Sequence, residues 1–217
     1  MTPSLLLLLL ALVLLSCKNK LFTEGQAGEA ASSESQAPTP ALPASGSAAP
    51  SHRAEWHSTK DGRIKAQKPP GPGWECVDQQ ASQGNSEARY VKCRRSAPGE
   101  FFFLMAKEYT VPQGSRLSAK VLCTQEYKKH YEKRFSKVRY KRSGPATLAG
   151  IQGYEAELEA SHAKVGDIRK LERVAVQGSR VLLVSAEGRL ADYAKLEQEI
   201  EEWFSATRFA PLEPDSI

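Results

Sequence analysis

Residues 167–187, DIRKLERVAVQGSRVLLVSAE, decide the fold. They read as two strands, Asp167 to Val176 and Arg180 to Glu187, joined across Gly178-Ser179. Side chains on a strand alternate between faces. Val174 and Val176 therefore share one face of the first arm, and Leu182 and Val184 one face of the second. Two such runs joined by a short glycine-containing link predict an antiparallel hairpin.

The pattern extends in both directions. Upstream, Gly150 to Ala160 reads as a strand, with Ile151, Tyr154 and Leu158 among its apolar positions. Lys137 to Lys141 reads as another, and Gly144-Pro145 is expected to end it. Before that, Leu117, Val121, Thr124, Tyr131 and Phe135 fall on one helical stripe, with Ser115 or Ser118 placed to cap it. The run Phe101 to Met105, inside a strand from Glu100 to Tyr109, suits a strand buried on both faces, or one whose outer face is covered. Trp74 to Gln79 and Ala88 to Arg95 form two more strands. Ala54 to Ser58 and Arg63 to Gln67 flank an Asp61-Gly62 turn. Downstream, Leu190, Tyr193, Leu196, Ile200, Trp203 and Phe204 mark a closing helix, and Phe209 a short last strand. The expected class is α+β: a mainly antiparallel β-sheet with two main helices packed on it.

The N-terminus has a different character. Leu5 to Leu15 is an unbroken apolar run of 11 residues, too short to span a bilayer, which takes roughly 20. It fits the apolar region of a signal peptide, residues 1–17. It ends at Leu14-Leu15-Ser16-Cys17, which resembles the lipobox of bacterial lipoproteins. That resemblance implies cleavage before Cys17 and a diacylglyceryl group on its sulfur, usually with a further acyl chain on the new amine. Two or more chains hold stably, where one is marginal. The alternative is an ordinary secretory signal with an incidental cysteine. Lys18 follows, and by similarity to Gram-negative sorting the lack of Asp there favours the outer membrane, with the domain facing the periplasm or cell surface. Residues 18–52 are rich in Ala, Ser, Pro, Glu and Gln, with only Leu21, Phe22 and Leu42 as large apolar residues. Such a segment cannot offset its ordering entropy and reads as a disordered tether. Residues 53–217 are left as a single globular domain large enough for its own core.

Asp61-Gly62-Arg63-Ile64, followed by Pro70 and Trp74, resembles the opening of the Mog1/PsbP-like fold. The closing hairpin, acidic amphipathic helix and Ser205-Ala206-Thr207-Arg208-Phe209 segment are similar to that family too. The resemblance covers most of 53–210. Its members include photosystem accessory proteins, a Ran-binding protein and many bacterial lipoproteins, so it implies a non-catalytic accessory or binding module. No family binding residue carries over.

Three cysteines lie beyond Cys17. If a turn is centred on Gly84-Asn85, opposed residues sum to 169, and Cys76 meets Cys93. In an oxidising compartment such a pair forms a disulfide; the alternative is two buried thiols. Cys123 is left over as a small apolar residue on the helix. His52, His57, His130 and His162 show no metal-ligand spacing, so no metal or cofactor is expected. No nucleophile elbow, zincin motif or phosphate loop is present, and the chain does not read as an enzyme.

Hydrophobic content is 41% and charged content 25%, with a net charge of +5 and a pI of about 9.0. One basic run stands out. Lys128, Lys129, Lys133, Arg134, Lys137, Arg139, Lys141 and Arg142 fall in 15 residues with one acid, Glu132. It reads either as an anion- or partner-binding face or as a solvated helix end whose cations complement the dipole. Nucleic acid fits the charge but not the compartment. The acidic closing helix, with Glu197, Glu199, Glu201 and Glu202, can answer some of this charge within the domain. The expected partners are the membrane, through lipid on Cys17, and a macromolecule; the alternatives are a small-ligand or anionic-lipid binding module and, behind it, an enzyme that the sequence does not advertise.

Overall fold

The hairpin of residues 167–187 lies inside a seven-stranded antiparallel sheet. The computed structural model describes residues 54–83, 86–95 and 101–211. The segment read as signal peptide and tether, with Cys17, and the Gly84-Asn85 turn lie outside the described residues.

The main sheet contains β3 (Trp74–Gln83), β4 (Ser86–Arg95), β5 (Phe102–Thr110), β6 (Ser136–Leu148), β7 (Ile151–His162), β8 (Gly166–Gln177) and β9 (Arg180–Arg189). Its spatial order is β3-β4-β5-β9-β8-β7-β6. Neighbours in sequence pair as hairpins, except that the chain leaves the sheet after β5 and returns at the far edge as β6. The two halves are joined where β5 pairs with β9. A second, three-stranded sheet is built from β1 (Trp56–Ser58), β2 (Ile64–Gln67) and β10 (Arg208–Phe209), in the order β1-β2-β10.

Between β5 and β6 the chain is helical: α1 (Ala119–Val121), a π-helical turn (Leu122–Glu126) and α2 (Tyr127–Arg134). Ser118 caps it, its hydroxyl accepting from the Val121 N–H at 3.2 Å. This helix packs on one side of the main sheet, over β7 and β8. After β9 come α3 (Leu190–Tyr193) and α4 (Glu197–Ala206), which pack with β2 on the other side. The main core lies on that second side. It joins Ile64 and Ala66 to Val91, Cys93, Phe102, Leu104, Ala106, Leu182, Val184 and Ala186, under Tyr193, Ile200, Trp203 and Phe204. Trp74 enters this core edge-on to Phe102, with ring centres 6.1 Å apart. The Pro-Gly turn ahead of it bends through Gly71 and Gly73, at φ 90° and 83°.

Several expectations need correction. Gly144-Pro145 does not end a strand: β6 runs through it to Leu148. β6 is an edge strand, where only alternate N–H groups serve the single neighbour, so a proline is tolerated. The turn comes at Ala149-Gly150, both at positive φ (52° and 76°), as a two-residue type I′ link demands. The helical stripe is also displaced. Ala119, Leu122, Cys123, Tyr127, Tyr131 and Phe135 are buried, while Leu117, Val121 and Thr124 are only partly so. A π turn inserts a residue into the helical register and rotates everything upstream of it. The closing helix is two short helices rather than one. In β5, Phe102, Leu104 and Ala106 are buried, but Phe103 and Met105 are half-buried, so burial on both faces holds only from Ala106 to Tyr109.

Candidate functional site

Strand parity builds a polar cluster between the main sheet and the helix above it. Lys170 lies directly opposite Glu187, and Glu172 opposite Ser185. All four are buried. Ile168 and Val174 share their parity on β8, which gives that face both its apolar filling and its charges. The helix supplies Cys123, Tyr127, His130, Tyr131 and Arg134.

The groups are linked pair by pair. Lys170 Nζ lies 3.2 Å from Glu187 Oε2, and Arg134 Nη2 lies 3.4 Å from Glu187 Oε1. The Tyr131 hydroxyl donates to the Glu172 carboxylate. The hydroxyls of Tyr109 and Tyr127 are 2.7 Å apart. Lys170 Nζ also stands 5.2 Å from the centre of the Tyr131 ring. The Cys123 thiol donates to the Tyr154 carbonyl at 3.7 Å.

Burial and charge act in opposite directions on the two glutamates. Burial pushes Glu187 up, but the cations of Lys170 and Arg134 more than reverse this and hold it below the usual carboxylate range. Glu172 is pushed up to about 7 by burial, with Lys170 and the Tyr131 hydrogen bond only partly offsetting it. His130 is pushed down to about 4 by burial, then by Arg134 and Lys170. The Cys123 thiol is pushed far up by burial, so it stays protonated and unreactive near neutral pH. Among the described residues no three His, Cys, Asp or Glu side chains are grouped to hold a metal ion. The cluster can lock helix to sheet electrostatically: its charged and phenolic groups are paired, while the buried Ser185 hydroxyl has no hydrogen-bond partner among the described residues.

The basic run divides between two elements. Lys128, Lys129, Lys133 and Arg134 lie on α2, and Lys137, Arg139, Lys141 and Arg142 on β6. Six of the eight have a carboxylate at hand. Lys128 reaches Glu132 at 3.9 Å and Lys129 reaches Glu126 at 3.4 Å. Arg134 takes Glu187. Arg139 pairs with Glu159, Lys141 reaches the same residue at 3.6 Å, and Arg142 reaches Glu157 at 2.7 Å. Lys133 and Lys137 have no carboxylate within 4.0 Å among the described residues. The partners on the β6 side come from β7, not from the closing helix. Glu197 and Glu201 of α4 pair instead with Arg169 at 3.6 Å and Arg173 at 3.2 Å.

Cys76 and Cys93 are joined by a disulfide. They are directly opposed in the β3–β4 register, with Cα atoms 4.0 Å apart, and the same register pairs Gln83 with Ser86. Cys123 is a buried free thiol.

The sequence reading missed the buried glutamates. Their signal was available: Lys170 and Glu172 share parity with Ile168 and Val174, so one strand face had to be both apolar and charged.

No family model matches the chain. No curated protein matches it either. Solved structures do. The cyanobacterial PsbP (CyanoP) of Synechocystis sp. PCC 6803 is 13% identical with a TM-score of 0.52, over 76% of this chain and 98% of that one. LpqN, involved in cell envelope biogenesis of Mycobacterium tuberculosis, is 13% identical with a TM-score of 0.46, over 73% of this chain and 91% of that one. A protein of unknown function from Pseudomonas aeruginosa is 12% identical with a TM-score of 0.41, over 74% and 98%. The first likeness shows that the described domain has a PsbP-like fold.

Proposed function

We propose that the protein is exported, held to the membrane by lipid on Cys17, and presents a non-catalytic accessory domain that binds a macromolecular partner. The observation that carries this is the apolar run Leu5–Leu15 ending at Ser16-Cys17, too short to span and placed to be cut before the cysteine. The Cys76–Cys93 bridge supports an oxidising compartment. No described helix is long and apolar enough to cross a membrane, and the proposal assigns attachment to the lipid alone. Lys18 directs the anchored protein toward the outer membrane. A binding role rather than chemistry is supported by the burial of Cys123, which keeps its thiol protonated, and by the pairing of Lys170 with Glu187 and Tyr131 with Glu172 between helix and sheet. Anion binding by the basic run is the alternative use of the same domain, and the ion pairs leave Lys133 and Lys137 to serve it.

The test is labelling of cells with palmitate, followed by membrane fractionation. The natural chain incorporates label and pellets with membranes. Cys17→Ala incorporates none and does not pellet. A Cys17→Ala protein that still pellets, and is released only by detergent, overturns the anchor.

A further inference from the structure

Trp56, Ser58, Lys65, Gln67 and Arg208 share the outward face of the small β1–β2–β10 sheet. The register places Trp56 opposite Gln67, Ser58 opposite Lys65, and Arg208 opposite Lys65 on the other flank. The alternate residues Ile64 and Ala66 are fully buried and seat the sheet firmly on the core. Trp56 is 41% exposed, whereas the chain's other two tryptophans, Trp74 and Trp203, are 4% and 3% exposed. The Arg208 guanidinium lies 5.3 Å from the centre of the Trp56 ring.

Six of the eight cations in the basic run are answered by carboxylates, whereas those at this face are not. Lys65 and Arg208 have no carboxylate within 4.0 Å among the described residues. Glu55, the acid next to Trp56 in sequence, is engaged by Lys68 at 2.9 Å and His57 at 3.3 Å. The described chain begins at Ala54, two residues before Trp56, so the segment leading back to Cys17 joins the domain beside this face.

An exposed indole among unanswered cations has the chemistry of a membrane-facing surface. Tryptophan rings settle at headgroup level, and lysine and arginine beside them meet anionic headgroups. We propose that the outward face of the β1–β2–β10 sheet, with the Arg208 guanidinium over Trp56 and Lys65 on the same face, seats on an anionic lipid surface. The inference rests on the lipid-anchor reading for its bilayer, and its test omits the anchor so that the two fail separately.

The test uses the chain from Lys18 onward, which keeps every described residue and lacks both Cys17 and the apolar run. It is mixed with phosphatidylcholine vesicles, with and without phosphatidylglycerol, carrying brominated acyl chains. Because the other tryptophans are buried, quenching and a blue shift report Trp56. Anionic vesicles should produce both, and neutral vesicles neither. Trp56→Phe should abolish the signal. Lys65→Gln and Arg208→Gln should each weaken partitioning about fivefold, and added salt should weaken it further. Circular dichroism confirms that each variant is folded. No quenching by anionic vesicles overturns the inference. So does equal quenching in Trp56→Phe, or partitioning unchanged in the Lys65→Gln/Arg208→Gln double variant. Binding to a soluble polyanion such as heparin without binding to vesicles also overturns it. If vesicles bind as described while Cys17 takes no palmitate in cells, the anchor fails and this surface stands.

Discussion

Lys170 and Glu187 face each other across the β8–β9 pair, both buried, with Nζ and Oε2 3.2 Å apart. A buried pair adds little over an apolar replacement, but removing one partner strands the other's charge. Lys170→Met should therefore destabilise the domain by about 3 kcal/mol. Arg134 alone then faces Glu187, from a position 43% exposed. Replacing both, as Lys170→Met/Glu187→Leu, should recover most of the loss. Urea unfolding measures the cycle. A double variant as unstable as the single one would show that packing, not charge, sets the cost.

Glu172 gives the domain a pH dependence of definite sign. Its folded pKa is raised to about 7 from an ordinary 4.5, chiefly by burial. The folded state holds the proton more tightly, so this contribution is complete below about pH 4.5 and is lost as pH rises through 7. His130 acts the other way: lowered to about 4 from 6.5, it favours the folded state as pH rises across that window. The clean readout is therefore the difference between the natural chain and Glu172→Gln. That difference should shift against the natural chain by on the order of 3 kcal/mol between pH 4.5 and 8. Parallel stability profiles for the two proteins would mean that Glu172 does not titrate there.

Phe102 lies directly opposite Gly188 in the β5–β9 pair, with its ring over the glycine. A Cβ at position 188 would fall inside the ring's van der Waals envelope. Gly188→Ala should cost about 1–3 kcal/mol through overpacking. Phe102→Leu/Gly188→Ala should lose less than the two single changes added together, because the smaller side chain opens the space. Strict additivity would remove the steric explanation.

The Cys76–Cys93 bridge closes a loop with a sequence separation of 17. Reducing it, or Cys76→Ser/Cys93→Ser, should lower stability by about 3 kcal/mol. A non-reduced digest of protein purified after export should contain the linked 76–93 peptide and a free Cys123. A linkage through Cys123, or three free thiols, would show that the compartment is reducing or the register is different.

Much of the sheet was legible because hairpins are local. The Cys76–Cys93 register followed from one turn centre, and the β8–β9 hairpin from one Gly-Ser link. What escaped was set by distance in the chain. Nothing near Pro145 announces that its strand is an edge, and nothing near Phe209 announces that it pairs with Ile64 in a separate sheet. The π turn at Leu122–Glu126 leaves no period in the sequence and shifts the helical stripe by its extra residue. In the basic run Lys128 and Lys129 meet acids of their own helix, but the carboxylates for Arg134, Arg139, Lys141 and Arg142 sit on β7 and β9, at a separation of 53 residues for Arg134 and Glu187. The outward patch around Trp56 escaped for the same reason: Arg208 reaches it only through β10.

Attachment through Cys17 is tested most directly by the mass of the N-terminal peptide of protein extracted from membranes. The expected peptide begins at Cys17 and carries a diacylglyceryl group on its sulfur, with or without an acyl chain on its amine. A peptide that begins at Met1, or one that spans residue 17 with an unmodified thiol, would contradict the account.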